Sequence, residues 1–201
     1  MPTDVQHELV PPLNDTDRLE CGQVIFLNGT SSSGKTTVAK ALQEILGPTY
    51  FHVQIDSLNR QFYTTSGGTE NEMLIAHQRM VLGFYRAVAG LASVGNHVIV
   101  DQLFGERWRM LDCLRVFAGY DVVLVGVHCA LEELNRRERA RGNRGHGRAA
   151  AQLGLVHADL SYDVEIDTGR QTPHDCATVI RDHLATGHRE RAFDRLRESA
   201  S

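Results

Sequence analysis

Gly29-Thr30-Ser31-Ser32-Ser33-Gly34-Lys35-Thr36 decides how this chain is read. It fits the G-x-x-x-x-G-K-[ST] pattern, in which glycines let successive backbone N–H groups close round a polyphosphate. In that pattern Lys35 reaches the β- and γ-phosphates and the Thr36 hydroxyl holds Mg²⁺. The context agrees. Val24 to Leu27 is an unbroken apolar run suited to a strand buried on both faces. Thr37 to Leu46 repeats apolar residues at helical spacing and stops at Gly47-Pro48. Strand, glycine loop and helix follow in the required order, and the helix N-terminus adds its positive dipole end to the anion site. A nucleoside triphosphate is the expected ligand, held by Gly29 through Thr37.

A chain of 201 residues suffices for one domain with a real core. The expected division is a flexible leader over 1–22, a kinase-like domain over 23–187 and a charged tail over 188–201. A formal net charge of −4 argues against a non-specific nucleic-acid binder. No run reaches the length of a membrane span, and the start lacks the basic-then-apolar order of a signal peptide. Cys21, Cys113, Cys129 and Cys176 are scattered without a C-x-x-C pair. Reduced thiols in a cytoplasmic protein are therefore expected. The ten histidines show no metal-ligand spacing.

Further along, Phe51 to Ile55 alternates as a strand and ends at Asp56, and 64–69 reads as a loop. Glu70 to Ser93 is a long helix closed by Gly95. His97 to Asp101 and Val122 to Val127 are buried strands, with a helix over 106–118 between them. A charged helix over 131–140, a glycine- and arginine-rich segment, and a short helix over 149–157 come next. Val164 and Ile166 alternate in a last strand with Asp163, Glu165 and Asp167, which read as a solvated edge face. A helix over 173–185 closes the domain. Strands alternating with helices imply a parallel sheet covered on both faces, with ligands at the strands' carboxyl ends.

Three groups are candidates for chemistry. Asp101 ends an apolar strand in the Walker B manner and would order Mg²⁺ near Thr36, unless it only caps a turn. Asp56 ends another strand, where a carboxylate faces the acceptor and can take the proton of an attacking hydroxyl; an N-cap is the competing reading. Arg141 and Arg144 lie where a lid would close and suit phosphate oxygens. Arg136 and Arg137 follow Glu132 and Glu133 by four residues, and ordinary surface ion pairs account for them.

With these residues in view, the chain resembles the chloramphenicol phosphotransferase family of small phosphate-loop kinases. The likeness rests on Ile25 to Gly29 with the loop, Asp56-Ser57-Leu58, Glu106-Arg107-Trp108-Arg109, Val125 to Cys129, Ala140 to Arg144, His157, and Tyr162 to Thr168. It implies an α/β nucleotide-kinase-like three-layer sandwich with a five-stranded parallel sheet and a helical lid. It also implies ATP- and Mg²⁺-dependent phosphorylation of a small-molecule hydroxyl, in that family the primary hydroxyl of chloramphenicol. Asp56 matches the family's proposed base, and Arg141 and Arg144 its lid arginines. The chain departs from the family at Asn143, at Asp101-Gln102 in place of an acidic pair, and in the stretches 60–70 and 103–105. The expected catalytic set is thus Asp56, Lys35, Arg141 and Arg144, with Thr36 and Asp101 at the metal. The acceptor would lie over Ser57 to the start of the long helix near Met73 to Gln78. A zeta-toxin-like nucleotide-sugar kinase and a non-catalytic ATP-dependent switch are the alternatives.

Overall fold

The strand before the phosphate loop, β1 (Val24–Asn28), is buried at every position and forms the middle of a five-stranded sheet. The structure is a computed structural model that describes residues 20–47, 50–62, 68–141, 147–187 and 190–200. The side chains of residues 59–62 and of Arg141 are outside that description. Most of the expected leader, most of the 64–69 loop, and Arg144 also lie outside the described residues.

The order of elements is β1, α1 (Lys35–Leu46), β2 (Tyr50–Gln54), α2 (Ile55–Phe62), α3 (Glu70–Ser93), β3 (His97–Gln102) and α4 (Arg107–Val116). There follow β4 (Val122–His128), α5 (Leu131–Arg141), α6 (Arg148–Val156), β5 (Val164–Asp167), α7 (Pro173–Ala185) and α8 (Ala192–Ala200). All pairings are parallel, in the order β2-β3-β1-β4-β5. The expected α/β three-layer architecture is what forms. The crossover after β1 runs to one side of the sheet and that after β3 to the other, which opens a crevice at the carboxyl ends of these two neighbouring strands. Register then does the positioning. Leu27 pairs with Asp101 and Asn28 with Gln102, while Gln54 of β2 is level with Asp101.

Two apolar layers hold the sheet. On one face, α1 and α7 cover Ile25, Leu27, Val123 and Val125 with Val38, Leu42, Cys176 and Ile180. On the other, α3, α4 and α8 cover Val24, Phe26, Val98 and Val100. Phe26 is the hub of that second layer, with Phe117, Phe193 and Phe104 at ring-centroid distances of 5.2, 5.6 and 5.7 Å.

Phe193 belongs to the segment read as a charged tail. That segment forms α8, whose Ala192, Phe193 and Leu196 are buried in the core. Asp163 explains how it docks. Read as part of a solvated face, its side chain is instead 3% exposed. It precedes β5 and accepts from the backbone N–H of Leu124 at 2.8 Å and of Ala192 at 2.7 Å. A buried carboxylate needs such donors, and here they fasten α8 to β4. Replacing Phe193 by alanine is expected to cost about 3–5 kcal/mol of stability. Urea unfolding checks it; an unshifted midpoint would make α8 an ornament.

Candidate active site

Helix α1 begins after Gly34, whose φ is 90°, and no side chain caps its N-terminus. The contrast with α3 and α7 is instructive. Both carry a reciprocal capping box, Thr69 with Glu72 and Thr172 with Asp175, that closes their N-termini. Ser32 also adopts a positive φ of 63°, and the loop is too tight for a side chain at Gly29. A Cβ there would lie 2.5 Å from the Val127 carbonyl and 2.7 Å from Ser33 Oγ. The loop is therefore a cradle of backbone N–H groups whose glycines cannot be exchanged.

Within it, Lys35 Nζ donates to the carbonyls of Gly29 at 2.9 Å and Thr30 at 2.8 Å. It also stands 4.0 Å from Asp101 Oδ1. The Thr36 hydroxyl donates to Asp101 Oδ2, and His52 Nε2 lies 3.8 Å from the same oxygen. Burial alone would raise the Asp101 pKa. The nearby His52 imidazole, the Lys35 charge and the Thr36 hydrogen bond overcome it and hold the carboxyl below its ordinary value. Asp101 is a carboxylate throughout the neutral range. Thr30 and Ser33 are buried under the loop, whereas Thr37 is exposed on α1.

A cavity of about 710 Å³ opens above these groups. Lys35, Thr36 and Asp101 line it, and so do Asp56, His77, Gln102, Arg109, Arg148 and Gln152. Asp56 is in the first turn of α2, just beyond the end of β2 rather than at the strand's last residue. Arg141 is the last residue of α5 by its backbone, and Arg144 lies outside the described residues, so the cavity's described arginines are others.

The arginine read as an ordinary surface pair turns out to brace the loop. Arg137 Nε bonds Glu133 at 2.7 Å, as i,i+4 spacing predicts. Its other nitrogens reach Thr168, donating to Oγ1 at 3.0 Å and to the carbonyl at 2.7 Å. Thr168 in turn donates from Oγ1 to the Ser33 carbonyl at 2.6 Å. From the other side the Ser31 N–H donates to Gln152 Oε1 of α6 at 2.8 Å. Helix α6 is tied to α5 by Glu138, which is 4% exposed and caps it by accepting from Gly147 N and Ala149 N. Arg148, the first residue of α6, is among the residues that line the cavity.

A neutral network secures the carboxyl end of β1. Asn28 Nδ2 donates to the Val156 carbonyl and to Tyr162 Oη, both at 2.8 Å, and Asn28 Oδ1 accepts from Phe104 N at 2.9 Å. Tyr162 Oη lies 2.7 Å from His157 Nδ1. Since the hydroxyl already accepts from Asn28, it donates to the imidazole. Burial pushes the Tyr162 hydroxyl up to about 12, and burial with His128 nearby pushes His157 down to about 4. Both are uncharged at neutral pH. The Tyr162 ring fits because residue 126 is glycine; a Cβ there would lie 2.8 Å from it.

A parallel α/β sheet with an uncapped glycine loop after its central strand is the architecture of phosphate-loop nucleotide-binding proteins, kinases among them. More narrowly, the chain belongs to the chloramphenicol phosphotransferase-like family, which it matches over residues 22–185. A Mycobacterium tuberculosis relative, named "Putative O-phosphotransferase Rv2636", is 33% identical over 199 residues, covering 88% of each chain. Among solved structures, the M. tuberculosis APS kinase in complex with AMPPNP and APS superposes with a TM-score of 0.64 at 18% identity. That match covers 82% of this chain and 98% of the other. A gluconokinase from Sinorhizobium meliloti 1021 superposes at 0.54 and 19% identity, covering 91% and 97%. At such identities the likeness is one of fold. Family and fold together make the chain a phosphotransferase of the kinase type. No helix among the described residues is long and apolar enough to cross a membrane.

Proposed function

We propose that the protein transfers the γ-phosphate of ATP to a hydroxyl of a small molecule. The observation that carries this reading is that one cavity is lined both by Lys35, Thr36 and Asp101 and by Asp56. The first set suits a polyphosphate, and the last is a carboxylate that no phosphate contact requires. The Thr36 hydroxyl and the ionised Asp101 are hard oxygen donors of the kind Mg²⁺ takes, so the residues fit that ion. When bound, Mg²⁺ neutralises charge on the β- and γ-phosphate oxygens. The loop amides and Lys35 hold the triphosphate, and Lys35 exchanges its two carbonyl partners for phosphate oxygens. Asp56 orients the acceptor hydroxyl and takes its proton as the oxygen attacks. Arg141 and Arg144 share the stabilisation of the transferring group, an assignment carried over from the family resemblance. Arg148, which lines the cavity, joins them.

Chloramphenicol is the family's namesake acceptor and the first compound to test. The experiment is ATP consumption with Mg²⁺ over a panel of hydroxylated antibiotics, sugars and hydroxy acids, with products identified by mass spectrometry. A phosphorylated product from any of these alcohols is the expected result. Tight ATP binding with no acceptor-stimulated ADP release would favour a nucleotide-dependent switch.

A further inference from the structure

Beyond the phosphate loop, the cavity carries polar groups to which the transfer step gives no task. Arg109 of α4 is the foremost. Its side chain is 15% exposed, and its Nε donates to Glu106 at 2.7 Å. Its Nη2 lies 3.1 Å from His77 Nε2 on α3. Burial, with Arg109 next to it, lowers the His77 pKa, so the imidazole is neutral and accepts from the guanidinium. Glu106 and His77 thus fix the plane of Arg109 from two sides, while Nη1 has no partner among the described residues. A guanidinium held in plane by two partners in the cavity lining offers its remaining edge as a preorganised donor fork for an oxyanion.

A second group stands beside it. Gln102 is 2% exposed and lines the same cavity, and its buried amide stands against the buried Tyr85 hydroxyl. A primary amide offers one acceptor and two donors, the complement of a hydroxyl. Among the described lining residues there is no phenylalanine, tyrosine or tryptophan. The charges of those residues balance: Lys35, Arg109 and Arg148 against Asp56, Asp101 and Glu106. Lys35 belongs to the phosphate loop and Arg148 to α6, whereas Arg109 is a described lining cation on α4, away from both.

We infer that the acceptor is a small hydroxylated acid, its oxyanion (carboxylate or phosphate) bound by the open edge of Arg109. Arg109 is on this account a specificity-determining residue. The inference rests on the kinase reading above and narrows its acceptor.

The chain supplies its own reporter, because Trp108 is the single tryptophan and the Arg109 guanidinium sits 5.4 Å from its ring centroid. Full-length protein is first saturated with Mg²⁺ and a non-hydrolysable ATP analogue, which occupies the phosphate loop. D-glycerate is then titrated against glycerol, and D-gluconate against D-glucitol, with Trp108 fluorescence as the readout. Each acid is expected to bind about ten- to a hundredfold more tightly than its neutral partner, the worth of a charge-assisted pair. Arg109→Gln is expected to erase that preference, and Arg109→Lys, which lacks the planar fork, to keep only part of it. Thermal melting confirms that both variants are folded. Equal binding of acid and neutral members, silence from both acids, or a preference that survives Arg109→Gln overturns the inference. Failure of the analogue itself to bind would instead strike the kinase reading, so the two failures are told apart.

Discussion

Replacing Asp56 by asparagine is expected to lower kcat for phosphoryl transfer by about 10²–10⁴, while the affinity for ATP stays within about twofold of the parent, a binding change of ~0.4 kcal/mol. The substitution conserves shape and still accepts a hydrogen bond from the acceptor hydroxyl. It removes the charge that draws the proton away as the oxygen attacks. Asp56 occupies the first turn of α2, where a carboxylate also complements the helix dipole by about 0.3–1 kcal/mol. That small structural contribution separates the two readings of the residue. A capping role predicts a slightly lower melting temperature and full turnover; a base predicts nearly native melting and lost turnover. Single-turnover kinetics with the acceptor found in the panel decide between them. Unchanged turnover would remove Asp56 from the chemistry.

Lys35→Ala is expected to lose both productive triphosphate binding and transfer, with kcat/KM down by about 10³ or more, since a preorganised donor is removed where charge develops. A second consequence follows inside the protein. Lys35 is one of the groups that keep the buried Asp101 below its ordinary pKa, so without it that carboxyl rises. Mg²⁺-dependent binding of nucleotide is then expected to weaken at acidic pH in the variant sooner than in the parent. Sign and position agree: the ligand needs the ionised form, and the ionised form persists to lower pH when the lysine is present. Isothermal titration with Mg²⁺ and an ATP analogue across pH gives both numbers. Normal catalysis by Lys35→Ala would refute the whole site.

Much of this architecture is readable in the chain for a simple reason. Parallel strands buried on both faces must be continuous apolar runs, and Val24–Leu27 and Val122–Val127 can hardly be anything else. The long helix is delimited by its own chemistry, Thr69 with Glu72 at one end and Gly95 at the other. Ends of strands then carry Asp101 to the phosphate loop without further information. What escapes a linear reading is any side chain with two allegiances. Arg137 satisfies a helix-surface rule through Glu133, which conceals its grip on Thr168, 31 residues away. Asp163 keeps step with Glu165 and Asp167, yet it precedes the strand and serves amides from two other elements. Helix α8 is charged at most of its surface, and only Phe193 and Leu196 mark the face that closes the core. Gln102 stands where an acidic pair was expected, and nothing in the chain says that its amide is buried against the Tyr85 hydroxyl.

The two halves of the cavity are built to different standards of attachment. Around the phosphate loop, Arg137, Thr168 and Ser33 are linked in one chain of bonds, and Gln152 of α6 holds Ser31 from the other side. By contrast, α3 opens on its own capping box, and its Leu74 and Ile75 are exposed. Arg109 is held by His77 and Glu106. Exchanging residues 74, 75, 77 and 109 therefore breaks none of the bonds that shape the phosphate cradle. Such a chain is free to diverge in what it phosphorylates while its energy-donating half stands still, and a mutational library aimed at new acceptors belongs on those four positions.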